Sequence, residues 1–275
     1  MDQAARRPRG RPRTADTGAE ASVQSLDRAV GLLSALAGAD GLTLAGVAAA
    51  TGLPGSTAYR LLSTLQRHGL VEFEEAGQRW HVGVEAFRIG SSFLRRRKII
   101  DRSRQALLDL SLRFGETANL AVADASSVVF VSQVEAHAAL RAFFRPGTRA
   151  PYHASGAGKA MLAYLPAGRL DQILGPGPLE RFTPRTVADR ARLGAELDTV
   201  RARGWAVDDE ERNEGMRCVA APVFNEFAEP IAGISVSGPT LRLTDTAVAG
   251  LGPAVRDAAA AVTALVAGTP PGGPA

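Results

Sequence analysis

The chain has 275 residues, one cysteine, a hydrophobic share of 45% and a formal net charge of +4. That length favours two domains, the apolar content supports buried cores, and the mildly basic balance permits nucleic acid as a partner without demanding it. The lone Cys218 excludes a disulfide framework and a cysteine zinc site, and a reducing cytoplasm fits; no metal and no cofactor is expected. The arginine-rich start lacks the apolar core of a secretory signal, and no apolar run approaches membrane-spanning length, so no membrane partner is expected.

Residues 1–21 hold Arg, Pro, Gly, Ala and acidic side chains that cannot build a core, and read as a flexible arm around the run RPRGRPR, Arg7 to Arg13. From residue 22 to 84 the pattern changes. Leu26, Val30, Leu33 and Leu36 recur at helical spacing, and Asp40-Gly41 then turns the chain. Leu44, Val47 and Ala48 form a short helical face that stops at Thr51-Gly52. Ser56 to His68 reads as a second helix with Leu61, Leu62 and Leu65 inward and Gly69 just past its end. Leu70 to Glu74 and Arg79 to Val82 make a hairpin about Ala76-Gly77. Helix, short helix, tight turn, helix, hairpin is the order of a winged helix-turn-helix.

Residues 85–114 read as linker helices, the longer from about Ile100 to Phe114, and as a candidate dimer surface. Residues 115–267 turn α+β. Thr117 to Ala123 and Val128 to Val134 are expected strands, Leu140 to Arg145 a third, and Cys218 to Phe224 and Ile231 to Val236 two more. Helices are expected over Arg190 to Arg203, stopped by Gly204, and over Thr244 to Val266, with 268–275 a flexible tail. The fold class is therefore α+β: an N-terminal winged helix-turn-helix, a linker, and a C-terminal α/β domain suited to sensing a small molecule.

The stretch Pro54-Gly55-Ser56-Thr57-Ala58-Tyr59-Arg60 opens the second helix of the DNA-binding pattern. A helix start presents unbonded N–H groups and a positive dipole to phosphate, and Ser56 and Thr57 add hydroxyls. Arg60 lies one turn on, where it can fork to a guanine edge, and Tyr59 can meet a phosphate or a thymine methyl. The plainer reading makes Ser56 an N-cap and Arg60 a solvated charge. Further on, Ser155-Gly156-Ala157-Gly158-Lys159 looks like a nucleotide loop. The first glycine of that motif would fall at His153, and Ala160 replaces its hydroxyl residue, so nucleotide binding is rejected. The N–H groups of Gly156 and Ala157 still make an anion cradle.

Three stretches carry a family resemblance. LTLAGVAAATGLPGSTAYRLLSTLQRHGLVE resembles the DNA-binding domain of the isocitrate lyase regulator (IclR) family of bacterial transcription factors. PYHASGAGKAMLAYLP and GWAVDDEERNEGMRCVAAPVFNEFAEPIAGISVSGP resemble its effector-binding domain. The likeness runs from about Val23 to Val266, and departs at Gly55, where many members carry a basic residue. It implies a GAF-like sensor domain, homodimers or homotetramers on palindromic double-stranded DNA operators, and a small organic acid as effector. In the glyoxylate-responsive branch the pocket is lined by a Gly-Ala backbone pair, an Asp, a Cys and two Ser. The matching positions are Gly156, Ala157, Asp208, Cys218, Ser235 and Ser237, and all the residue types are present. The resemblance thus implies glyoxylate or a similar 2-oxo acid. An ionised Asp208 would repel the ligand carboxylate, so electrostatics place that carboxylate at Gly156-Ala157 and let Asp208 accept from the hydrated-aldehyde end. An aromatic-acid effector is the alternative. An enzyme with Cys218 as nucleophile is a weaker one, because it needs a nearby histidine base. Within the arm, Arg9, Gly10 and Arg11 resemble an AT-hook: two arginines about a glycine, held extended by proline for a narrow minor groove.

Overall fold

The computed structural model describes residues 23–272 apart from 97, 139, 140 and 143. Arg9, Gly10 and Arg11 lie outside the described residues. The chain divides into two compact units, Met1–Phe93 and Leu94–Ala275.

The first unit contains α1 (Gln24–Ala37), α2 (Leu44–Thr51), α3 (Gly55–Arg67), a hairpin of β1 (Val71–Glu74) and β2 (Arg79–Val82), and most of α4 (Val84–Arg96). Leu32, Leu36, Val47, Ala58, Leu62, Leu65, Val71 and Trp80 form its core. The Thr43 hydroxyl caps α2 by accepting from the Gly46 N–H at 3.1 Å. Gly52 then takes a left-handed φ of 66°, which lets α3 follow α2 after a short turn. The helix-turn-helix order and the hairpin match the expectation from sequence, but one face does not. Leu26 and Val30 are exposed, because α1 turns Leu32 and Leu36 toward α2 and α3 and leaves the neighbouring apolar stripe outside.

The second unit contains α5 (Lys98–Phe114), β3 (Thr117–Ala123), β4 (Ser127–Val134), β5 (Arg149–Pro151), α6 (Gly156–Leu162), α7 (Ala167–Leu174), α8 (Arg190–Arg203), β6 (Ala206–Asp209), β7 (Met216–Phe224), β8 (Pro230–Pro239) and α9 (Asp245–Leu265). Its six strands form one antiparallel sheet in the order β5-β4-β3-β8-β7-β6. Successive strand residues face opposite sides, and the two faces differ in chemistry. Helices α5 and α9 pack on one face and α6 on the other, with α8 against α6. Ala118, Leu120 and Val122 of β3 and Ile234 and Val236 of β8 alternate with Thr117, Asn119, Ser235 and Ser237, so the α6 side of these two strands is polar.

Two expectations need correction. The described residues of the span Leu140 to Arg145 are not a strand. The chain turns after it at Gly147 (φ 93°), so β5 at Arg149–Pro151 takes the edge of β4, and the N–H of Phe144 is satisfied by the Gln133 side chain at 2.9 Å instead of a ladder. The 21-residue α9 does reach the length and apolarity of a membrane span. It is a core helix by its packing: Leu251, Val255, Ala259 and Val262 are buried along one face, and the helix lies against β7 and β8.

Candidate functional site

In the first unit, α3 begins one residue earlier than expected, with Pro54 as its N-cap and no side-chain hydrogen bond at the cap. Ser56 therefore sits inside the first turn and is not spent on capping. Ser56, Tyr59 and Arg60 are exposed and Thr57 is half-buried, while Ala58, Leu62 and Leu65 hold the opposite face in the core. Thr57, Tyr59 and Arg60 line a surface concavity shared with Ser25 and Arg28 of α1. Arg28 was not singled out by sequence reasoning, because nothing in the α1 pattern distinguishes it from a solvated charge. A helix N-terminus, hydroxyls and two arginines at one surface are chemistry suited to phosphate and base-edge contacts.

In the second unit the strand register brings the other predicted residues together. Asp208 pairs with Cys218, Cys218 with Ser237, Ala220 with Ser235, and Asn119 with Ser235, so these side chains share one sheet face. Helix α6 meets that face at its first turn. A Cβ on Gly156 would stand 3.0 Å from Cys218 Sγ and 3.3 Å from Ala220 Cβ, so only glycine lets the helix start approach this closely. Ser155 caps α6, its hydroxyl accepting from the Gly158 N–H at 3.2 Å, and the first-turn N–H groups of Gly156 and Ala157 have no carbonyl one turn back. All six predicted positions thus lie on one sheet face or at the α6 start packed against it. Beside it the Thr117 hydroxyl donates to the Ala142 carbonyl at 2.8 Å and accepts from the Ala136 N–H at 3.2 Å, which pins the connecting segment over the end of β3. Phe144 stacks on Phe130 with ring centroids 4.6 Å apart.

Behind the α6 start lies a buried charge cluster. The Lys159 ammonium donates to carboxylates of both Glu196 and Glu211, and Lys159 itself is wholly buried. Burial works against its charge, but Glu211 and Glu196 outweigh it and hold the ammonium above its ordinary range. Burial keeps the Glu211 carboxyl raised despite Lys159. Asp208 accepts from the Glu211 N–H at 2.8 Å. The Asp208 carboxyl is pushed up to about 7, first by burial and then by the Glu211 carboxylate, with Lys159 opposing. This alters the sequence expectation of an ionised Asp208: near neutrality it is a carboxyl that titrates, which removes much of its repulsion toward an anionic ligand.

Comparison with known proteins decides the family. The profile described as "Bacterial transcriptional regulator IclR C-terminal" matches residues 91–264, and "IclR helix-turn-helix domain" matches residues 25–75. The chain belongs to the IclR family. It is similar to the HTH-type transcriptional regulator BhcR of Paracoccus denitrificans, 47% identical over 92% of each chain. The transcriptional repressor IclR of Escherichia coli is 40% identical over 94% of this chain and 96% of its own. Among solved structures, an IclR homologue from Microbacterium hydrocarbonoxydans complexed with 4-hydroxybenzoate superposes with a TM-score of 0.76, at 25% identity, covering 88% of this chain and 99% of its own.

An IclR-family chain is a DNA-binding transcriptional regulator with an effector-binding domain, and not an enzyme. The chemistry of Cys218 agrees. Its thiol is pushed up to about 11, first by burial and then by Asp208, so the nucleophilic thiolate is not formed near neutrality. His153 is buried with Nε2 at 2.8 Å from the Glu180 carbonyl, where it is already engaged. Among the described residues, no group of three or more His, Cys, Asp and Glu side chains is arranged to hold a metal ion.

Proposed function

We propose that this IclR-family regulator is a cytoplasmic repressor whose operator binding is controlled by a very small 2-oxo acid, best matched by glyoxylate. Gly156, Ala157, Asp208, Cys218, Ser235 and Ser237 hold it. The observation that carries this reading is the buried polar sheet face opposite the first turn of α6, where Gly156 packs closely on Cys218 and the surrounding side chains are small and polar. The ligand carboxylate lies at the N–H groups of Gly156 and Ala157, and its hydrated end faces Asp208 and the serines. An aromatic acid is the second reading, favoured by the 4-hydroxybenzoate complex of the Microbacterium homologue. A polar wall disfavours it, since an aromatic ring needs a larger apolar pocket. A thermal-shift screen of the full chain against glyoxylate, pyruvate and 4-hydroxybenzoate separates them. Glyoxylate at about a hundredfold over its Kd should stabilise by ~2.7 kcal/mol. A shift with 4-hydroxybenzoate alone would replace the first reading by the second.

On DNA, a homodimer or homotetramer sets two α3 helices on the half-sites of a palindromic operator, with Ser56, Thr57, Tyr59 and Arg60 at the duplex. Residues 85–114 act as the linker through which effector binding shifts the population between operator-competent and incompetent arrangements. Arg9, Gly10 and Arg11 add a minor-groove arm. Gel-shift titrations at several salt concentrations test both contacts. Arg60→Ala should weaken specific binding by ~1–3 kcal/mol. Deleting residues 1–18 should lower affinity and flatten its salt dependence. Unchanged specific affinity for Arg60→Ala removes that residue from the interface, and identical salt slopes reduce the arm to a tail.

A further inference from the structure

We infer that Asn119 reads the effector by accepting a hydrogen bond from a hydroxyl on it. The effector class is then a small carboxylic acid carrying an O–H donor: a hydrated 2-oxo acid or a 2-hydroxy acid. The inference rests on the effector pocket proposed above and deepens it.

Asn119 is wholly buried on β3, and its Oδ1 has no hydrogen-bond partner. Its Nδ2 lies 3.4 Å from Ser237 Oγ. Directly across the ladder, Ser235 is also wholly buried, and its hydroxyl is engaged with the Cys218 thiol on the same face. Buried polar atoms are normally satisfied, and one left bare costs free energy, so the bare Asn119 oxygen on this polar face marks a place built for something else.

The neighbours sharpen the contrast. Thr117, one step along the same face, satisfies both its donor and its acceptor on the Ala136–Ala142 segment. Gln133, paired with Asn119 from the other side, commits Oε1 to the Phe144 N–H. These two are structural clamps, and Asn119 between them is not. An amide oxygen only accepts, so the ligand atom facing it must donate. A carboxylate oxygen cannot do so. The gem-diol that an aldehyde acid forms in water can, and so can the hydroxyl of a 2-hydroxy acid. The ketone of pyruvate, which hydrates far less, matches poorly.

Calorimetry of the full chain with glyoxylate, glycolate and pyruvate tests this, using the native protein, Asn119→Val and the milder Asn119→Ser. The native chain should prefer glyoxylate and glycolate to pyruvate. Asn119→Val should lose about tenfold or more in affinity for both donors while pyruvate changes by less than about twofold. Asn119→Ser, which keeps an acceptor, should fall between. The ligand-free melting temperature of Asn119→Val should stay level or rise, because the variant removes an uncompensated polar group. Native-like glyoxylate affinity in either variant, equal losses for all three acids, or a native chain that binds pyruvate as tightly as glyoxylate each overturns the role of Asn119. A native chain that binds none of the three fails the effector reading itself, a result visible before any substitution is made.

Discussion

Replacing Lys159 by Met should destabilise the effector-binding unit by about 3–5 kcal/mol, the range for breaking a buried ion pair from one side. The side chain of Lys159 exposes 0% of its surface, and those of its partners Glu211 and Glu196 expose 4% and 24%. Met fills a similar volume, so the loss is electrostatic: the Glu211 carboxylate keeps its desolvation cost and loses the cation that offset it. The cluster also ties three elements of the unit together. Lys159 belongs to α6, Glu196 to α8, and Glu211 to the turn after β6, where the Thr183 and Thr186 hydroxyls donate to the Glu210 and Glu211 carbonyls at 2.7 Å each. The deficit should grow as pH rises. The Glu211 carboxyl is already raised by burial and will be raised further without Lys159, and an acid with a raised folded-state value loses its stabilisation as it ionises. Urea unfolding of the full chain provides the measurement. Lys159→Met/Glu211→Gln should recover about half of the loss, since Glu196 can turn to water. A single-variant loss below ~1 kcal/mol would mean that the cluster behaves as an ordinary surface ion pair.

That cluster also shows what sequence reasoning can reach. Lys159 was visible only as the end of a false nucleotide loop, and its partners stand 37 and 52 residues away, so no local spacing links them. Elements with local punctuation were legible. The helix Arg190–Arg203 is bounded by an Asp189 cap and a Gly204 terminator, and was expected over the same residues. Paired strands emerged from their alternation and turns. The failure at Leu140 to Arg145 has a tertiary cause: its apolar residues suggest a strand, but the backbone turn at Gly147 decides which segment pairs with β4. Residue types taken from the family resemblance converge at the α6 start, a convergence that depends on β6, β7 and β8 being adjacent. Asn119 leaves a readable trace in the sequence. Thr117 and Asn119 alternate with Ala118 and Leu120, so the strand carries polar groups on a face that a central strand must bury.

Asp208→Asn should abolish a pH dependence that the native chain shows both in stability and in effector affinity. The folded carboxyl titrates at about 7 against an ordinary value of 3.8, so the folded state holds this proton more tightly than the unfolded chain. The associated stabilisation is complete below 3.8, declines as pH rises, and is gone once pH passes about 7. The slope within that window is at most ~1.4 kcal/mol per pH unit. An asparagine has no proton to lose and also accepts from the Glu211 N–H, so the variant should show no such decline and should be the more stable protein above neutrality. Binding follows the same logic. An anionic effector meets a neutral carboxyl below the titration and a carboxylate above it. Native affinity for glyoxylate should therefore fall by up to about tenfold per pH unit above about pH 7, with proton uptake on binding in that range. The variant should bind with a flat profile across the same interval, at the affinity of the protonated native form. Calorimetry in two buffers of different ionisation enthalpy measures both affinity and proton uptake. Affinity that instead rises through neutrality would mean that ionised Asp208 accepts from the effector, which would move the pocket's acceptor role from Asn119 toward Asp208.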